Sequence, residues 1–239
     1  LLFIQKINGE LSWNSFYHFA PYFHELNFHD AQIYVRRDSK GQITIAGLPV
    51  HGKTDDYTAE NWLFAQNDIN ISDVKLFWDD QLKKKAITSV DIQSLTLSNG
   101  IRSHKGSISA TTPWTKGPLS VEIDLVHHLG GQAGNWRDWI GTITWKVNDL
   151  QLNQIANAID IPLNTLEGIL SSNGKLKLDN GKPDGGEVQL AADNLTIQLT
   201  KDEDAIALGR LETNLALETD GGMISVTTKT FAWRDTESP

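Results

Sequence analysis

Leu119-Ser120-Val121-Glu122-Ile123-Asp124-Leu125 alternates oily and polar side chains without a slip. Successive side chains of an extended strand point to opposite faces, so this run has one apolar face and one wet face. Ala31-Gln32-Ile33-Tyr34-Val35 repeats the pattern upstream, and Ile143-Thr144-Trp145-Lys146-Val147 repeats it downstream. Asn, Asp and Gly punctuate the intervals between such runs. About a dozen of these runs predict a mainly β chain, built on a large antiparallel sheet with one continuous apolar face and one or two short helices. What that face covers decides the function.

Composition narrows the choices. The 239 residues carry a net charge of -9, and nucleic-acid binding, which needs clustered Lys and Arg, is excluded as the main activity. The chain has no Cys, which removes disulfides, thiolate metal sites and a Cys nucleophile, and fits the cytoplasm or a bacterial periplasm equally. No apolar run approaches the roughly 20 residues of a membrane helix. The only Met is Met223, and the opening Leu1-Leu2-Phe3-Ile4 reads as the interior of a longer polypeptide, whose membrane anchor would lie outside this segment.

Along the chain, residues 1–29 are mixed, with helix and strand equally open for the aromatic stretch 11–19. From 30 the strand rhythm begins, with a turn at Asp38-Ser39-Lys40-Gly41 and a return over 42–46. Residues 50–61 read as a loop. The run 69–78 changes parity between Ile71 and Val74, and 90–97 changes parity between Ile92 and Leu95; such slips mark β-bulges. A loose echo links Asp30-Ala31-Gln32-Ile33-Tyr34 with the run from Ser72 to Asp80, each an apolar strand followed by a charged turn and an apolar return. Asn99-Gly100 closes a hairpin. Asp149 is placed to cap a helix whose stripe is Leu152, Ile155, Ala156 and Ile159, ending at Pro162. Beyond it, short strands are expected between turns at Asn173-Gly174, Asn180-Gly181, Asp184-Gly185-Gly186 and Asp220-Gly221-Gly222. This gives an N-terminal segment 1–29, a β section 30–148 and a helix-plus-β section 149–239.

The residue types that carry chemistry do not assemble into a signature. His18, His24 and His29 lack metal-ligand spacing, and adjacent His127 and His128 would point to opposite faces of a strand. Asp55/Asp56, Asp79/Asp80 and Asp202/Glu203/Asp204 sit in turn-like, solvated segments rather than across a cleft. No nucleophile elbow, Walker loop or dinucleotide fingerprint is present. The reading is therefore of a non-enzyme without cofactor or metal. Eight Trp leave a second possibility, a carbohydrate-binding or adhesive β-sandwich using Trp136, Trp139 and Trp145; the alternative for these rings is that Trp145 fills the apolar face while the other two cover a sheet edge.

The stretch from about 26 to 235 resembles the AsmA-like envelope proteins, and among them the YhdP-type branch. The resemblance rests on Asp30, Ala31, Ile33 and Asp38; on Ile92, Leu95, Leu97, Asn99 and Gly100; on Asp138, Trp139, Gly141, Ile143 and Trp145; and on a short amphipathic helix, Leu150 to Ile159, leading into Leu166 and Gly168. It implies a strongly curved sheet, an open-barrel or taco-like β-groove, in a periplasmic body anchored to the bacterial inner membrane. The implied partners are phospholipid or another acyl-chain lipid, and adjoining segments of the same polypeptide. The implied activity is support of phospholipid transport to the outer membrane. Bulges would curl the sheet around the guest.

The residues of constant parity are then expected to line the groove: Ile33, Val35, Val74, Leu76, Leu95, Leu97, Val121, Ile123, Leu125, Ile143, Trp145 and Val147, and in the second half Leu176, Leu178, Val188, Leu190, Leu215 and Leu217. On spacing alone the same residues describe the sealed interior of a two-sheet sandwich.

Overall fold

The computed structural model describes residues 2–45, 47–49, 57–82, 87–158, 163–220 and 223–234. The strands are β1 (Leu2–Leu11), β2 (Phe23–Arg37), β3 (Ile43–Ile45), β4 (Leu48–Pro49), β5 (Asp68–Asp80), β6 (Thr88–Asn99), β7 (Ser103–Thr111), β8 (Leu119–His127), β9 (Trp139–Gln151), β10 (Thr165–Asp179), β11 (Lys182–Gln198), β12 (Ile206–Asp220) and β13 (Met223–Arg234). The helices are α1 (Asn14–His18), α2 (Thr58–Phe64) and α3 (Leu152–Ala158), with one 3₁₀ turn at Trp136–Asp138.

All of these strands join one thirteen-stranded sheet, open at both ends. From β5 to β13 it is a simple meander in which each strand pairs with the next. The expected antiparallel order has one exception. β2 pairs β5 in parallel, because the chain crosses over through β3, β4 and α2 before rejoining the sheet.

The slip in β6 is a bulge, whereas the slip in β5 is a left-handed residue that leaves the pairing with β2 and β6 in register. In β5, Asp73 turns left-handed with φ 56°. In β6 the register with β7 shifts between Ile92 and Ser94. The echo between the segments at 30 and 73 is a repeated backbone event, since Asp30 has φ 52° and sits beside Asp73 on the neighbouring strand. Asp149 in β9 and Asn194 in β11 repeat it, with φ 53° and 51°. Asp and Asn tolerate this conformation because their short polar side chains can hydrogen-bond locally.

Several boundaries differ from the sequence expectation. Residues 2–11 form an edge strand, and only 14–18 of the aromatic stretch are helical. The expected loop at 50–61 gives way to α2 from Thr58; residues 50–56 lie outside the described residues. Asp149 is no helix cap but a bulge residue inside β9, and α3 begins at Leu152; Ile159 and Pro162 lie outside the described residues. The turns expected at 173–174 and 184–186 are absent, so pairs of short strands fuse into β10 and β11. Gly174 is there for space. A Cβ on it would sit 2.4 Å from Cζ2 of Trp145, across the sheet from it. Only Asn180-Gly181 turns the chain between these strands, with φ of 50° and 68°, the pair of positive values a tight hairpin requires.

Candidate functional site

The cross-strand register assigns every side chain to a face. One row runs Ile69, Leu97, Gly106, Ile123, Ile143, Leu176, Gly186, Leu217 and Val226, from β5 to β13. The next runs Ile71, Leu95, Ile108, Val121, Trp145, Gly174, Val188, Leu215 and Thr228. On β2, Leu26, Phe28, Ile33 and Val35 continue the same face beside Ile69, Ile71, Leu76 and Trp78. The row on the other face reads Thr96, Ser107, Glu122, Thr144, Lys175, Glu187, Ala216 and Thr227. Along these rows one face is hydrocarbon and the other polar from β6 to β13, while elsewhere the second face carries the stacked Tyr34–Phe77 pair and the Val126–Ile140 pair.

The register puts all the residues of constant parity on the hydrocarbon face, including Val74 opposite Ile92, Leu125 and Leu178 opposite Gly141, and Val147 and Leu190 opposite Ser172. The slips preserve this: each consumes one residue and returns the next apolar side chain to the same face. Val35, Val74, Leu97 and Leu125 are buried, whereas Ile33, Leu76, Leu95, Val121, Ile123, Ile143, Trp145, Val147, Leu176, Leu178, Val188, Leu190, Leu215 and Leu217 are half-buried.

Two helices cover parts of the face. α2 sets Phe64 against Leu26, Ile69 and Leu97. It is tied to the β8–β9 connection, where Gly134 donates its N–H to Asn61 Oδ1 at 2.8 Å and Arg137 donates to the Tyr57 hydroxyl at 2.8 Å. Phe64 meets Trp139 edge-on, with ring centroids 5.2 Å apart. α3 sets Leu152 against Ala192 and Leu195, with Leu166, Leu170, Leu208 and Leu211 around them. With every described strand in one sheet, no second β layer lies against the rest of the face.

The polar groups that sequence reasoning passed over cluster where α2 meets the sheet. Gln66 is fully buried; its Oε1 accepts from Phe23 N at 2.8 Å, and its carbonyl accepts from Asn99 Nδ2 at 2.7 Å. Asn99 thereby turns Oδ1 toward His104, which donates from Nδ1 at 2.8 Å. The His104 ring is 1% exposed and stacks on His127 at 5.4 Å. Burial, helped by the neighbouring His127, lowers the His104 pKa to about 4, so the ring is neutral at pH 7. At the opposite end of the strands, Asp80 is buried and held by Arg37 through a two-pronged contact whose Nε–Oδ1 arm is 2.9 Å. Neither cluster could be found from spacing, because their members come from strands and helices distant in sequence.

The other candidate groups stay apart. His127 is buried, while His128 is exposed and pairs Asn180 at 2.9 Å. Among the described residues no group of three or more His, Asp or Glu could hold a metal. Asp79 and Asp80 are occupied by Arg36 and Arg37, and Asp202, Glu203 and Asp204 lie exposed in one turn. Asp55 and Asp56 lie outside the described residues. The Trp residues form no flat array. Trp145 sits on the apolar face and donates to Ser172 Oγ at 3.1 Å, Trp139 packs on Phe64, and Trp136 lies under Arg137.

An open single-layer sheet, hydrocarbon on one side and mainly polar on the other, without an assembled catalytic or metal-binding group among its described residues, defines a β-groove protein. The chain belongs to the YhdP family, whose model, described as YhdP protein, matches residues 1–238. No curated protein and no solved structure matches it. No described helix is long and apolar enough to cross a membrane.

Proposed function

We propose that the apolar face shields acyl chains, and that the chain is one section of an inner-membrane-anchored periplasmic bridge supporting phospholipid transport to the outer membrane. Membership of the YhdP family fits a role of this kind. The observation that carries the reading is the half-buried apolar face on a sheet that is neither paired with a second sheet nor closed on itself.

The physics favours this use. Exposing an acyl chain of about sixteen carbons to water costs on the order of 12 kcal/mol, at ~0.8 per methylene. The rows of Ile, Leu and Val run from β5 to β13, roughly 38 Å of sheet at about 4.8 Å per strand. Half of a bilayer's ~30 Å hydrocarbon core is about 15 Å, so a whole tail lies within one such row. Attraction to aliphatic side chains is non-directional and nearly uniform along the row, so a tail slides without breaking specific contacts. No proton or electron moves, and no catalytic residue is called upon.

Gentle purification followed by organic extraction and mass spectrometry tests this. Stoichiometric phospholipid in the extract is the expected result. A chain that emerges lipid-free, and that takes up no fluorescent phospholipid when titrated, overturns it.

A further inference from the structure

Three connections on one rim of the sheet carry exposed apolar side chains. They are the β1–β2 connection with α1, the β6–β7 turn and the β8–β9 connection. Trp13, Phe16, Tyr17 and Phe19 on the first, Ile101 on the second and Leu129 on the third are between 67% and 97% exposed. The connections are neighbours. Arg102 Nε donates to His127 O at 2.9 Å, and Asn14, Ile101 and Gln132 line one recess of about 610 Å³ between them.

The aromatic connection is built to hold this display. Ser12 N–H donates to Tyr22 O at 2.8 Å. The Ser15 hydroxyl donates to the same carbonyl at 2.7 Å and accepts from Tyr22 N–H at 2.9 Å. Trp62 of α2 donates Nε1–H to Pro21 O at 2.9 Å. The polar ties thus lie inside the connection. Phe19 is held left-handed with φ 50° and is 97% exposed, a strained placement for an aromatic side chain. On the opposite rim, the described residues of the turns present Lys40, Lys201, Asp202, Glu203 and Asp204 to solvent beside the aliphatic Leu82, Ile87 and Leu199, and no aromatic there is exposed.

We propose that the aromatic rim seats on the surface of a lipid bilayer, with Trp13 and Tyr17 at the headgroup level and Phe16, Phe19, Ile101 and Leu129 in the outer acyl region. Four of the six side chains share one connection, where the Trp13 and Phe16 rings lie 5.5 Å apart, and Ile101 and Leu129 project from two neighbouring turns; apolar tips of this kind enter a soft medium without a shaped partner. Trp and Tyr prefer the membrane–water interface because each has an apolar body and a polar handle. The net charge of -9 makes the attraction apolar rather than electrostatic, so it does not need anionic lipid.

The absence of native Cys allows a single labelled position. An environment-sensitive fluorophore on Phe19→Cys is expected to brighten and shift to the blue with phosphatidylcholine vesicles, and to keep doing so in roughly 0.5 M salt. The same label on Lys201→Cys should not respond. Replacing Trp13, Phe16, Tyr17 and Phe19 together by Ser is expected to reduce co-sedimentation with those vesicles about tenfold or more, with circular dichroism unchanged. A label at 19 that ignores vesicles, responds equally at 201, or responds to protein concentration without vesicles overturns the proposal. Acyl-chain uptake from detergent reads the apolar face separately, so either idea can fail without the other.

Discussion

Asp80 is a carboxylate that the fold hides and Arg37 neutralises, whereas Asp79 next to it pairs with an Arg36 that is mostly in water. Removing one partner of a buried pair leaves an uncompensated charge; removing an exposed partner costs little. Asp80→Ala is therefore expected to lower stability by about 2–4 kcal/mol in urea unfolding, and Arg36→Ala by less than about 1 kcal/mol. His104 supplies a second expectation. Its folded pKa of about 4 lies below the ordinary 6.5. Between those values the unfolded chain takes a proton that the folded chain refuses, so stability falls as pH drops through that window and levels off below it. The expected loss is about 3 kcal/mol, read as a falling urea midpoint. His104→Phe, which keeps the stack on His127 and Phe64, should flatten this part of the pH profile; an unchanged profile would contradict the assignment.

The strands of the meander owe their continuity to bulges and left-handed residues. A strand bearing Asp73 in a right-handed or extended conformation would present Val74, Leu76 and Trp78 to the wrong face. Asp73→Gly should be neutral or slightly stabilising, because Gly enters the left-handed region freely. Asp73→Val should cost about 1–3 kcal/mol, since a β-branched side chain strains that conformation. Both are measurable by thermal unfolding, and equal effects would argue against a left-handed backbone at Asp73. At this scale the sequence was legible wherever a parity slip fell inside a long run, as at 71–74 and 92–95. Apolar alternation survives each slip, so the shared face of the residues expected to line a groove could be read without knowing the strand ends. It was illegible where glycine served space rather than turning, as at Gly174 beneath Trp145. It also failed at α2, whose seven residues Thr58–Phe64 are too short for a helical period to stand out and which is held by Phe64 and Asn61 rather than by propensity. The parallel β2–β5 pair was equally hidden, because alternation specifies faces and not partners.

For the whole molecule, spacing left two architectures open: a sealed sandwich and an accessible trough. A single open sheet with helices over only parts of its apolar face favours the second, since a sandwich needs a facing layer. The first and last strands tell the same story. β13 is exposed along its length, with Ile224, Val226, Phe231 and Trp233 on the apolar face, and β1 exposes Ile7 and Leu11 on it. The chain's polar clusters hold α2 and the strand ends in place around that face rather than occupying its middle. The most direct test places a photo-cross-linkable residue at successive positions of adjacent strands and exposes the protein to phospholipid vesicles. Acyl-chain adducts are expected at Ile123, Ile143 and Leu176 and not at Glu122, Thr144 and Lys175, an alternation with the period of the strand. Adducts at neither set, or equally at both, would contradict an apolar face open to lipid.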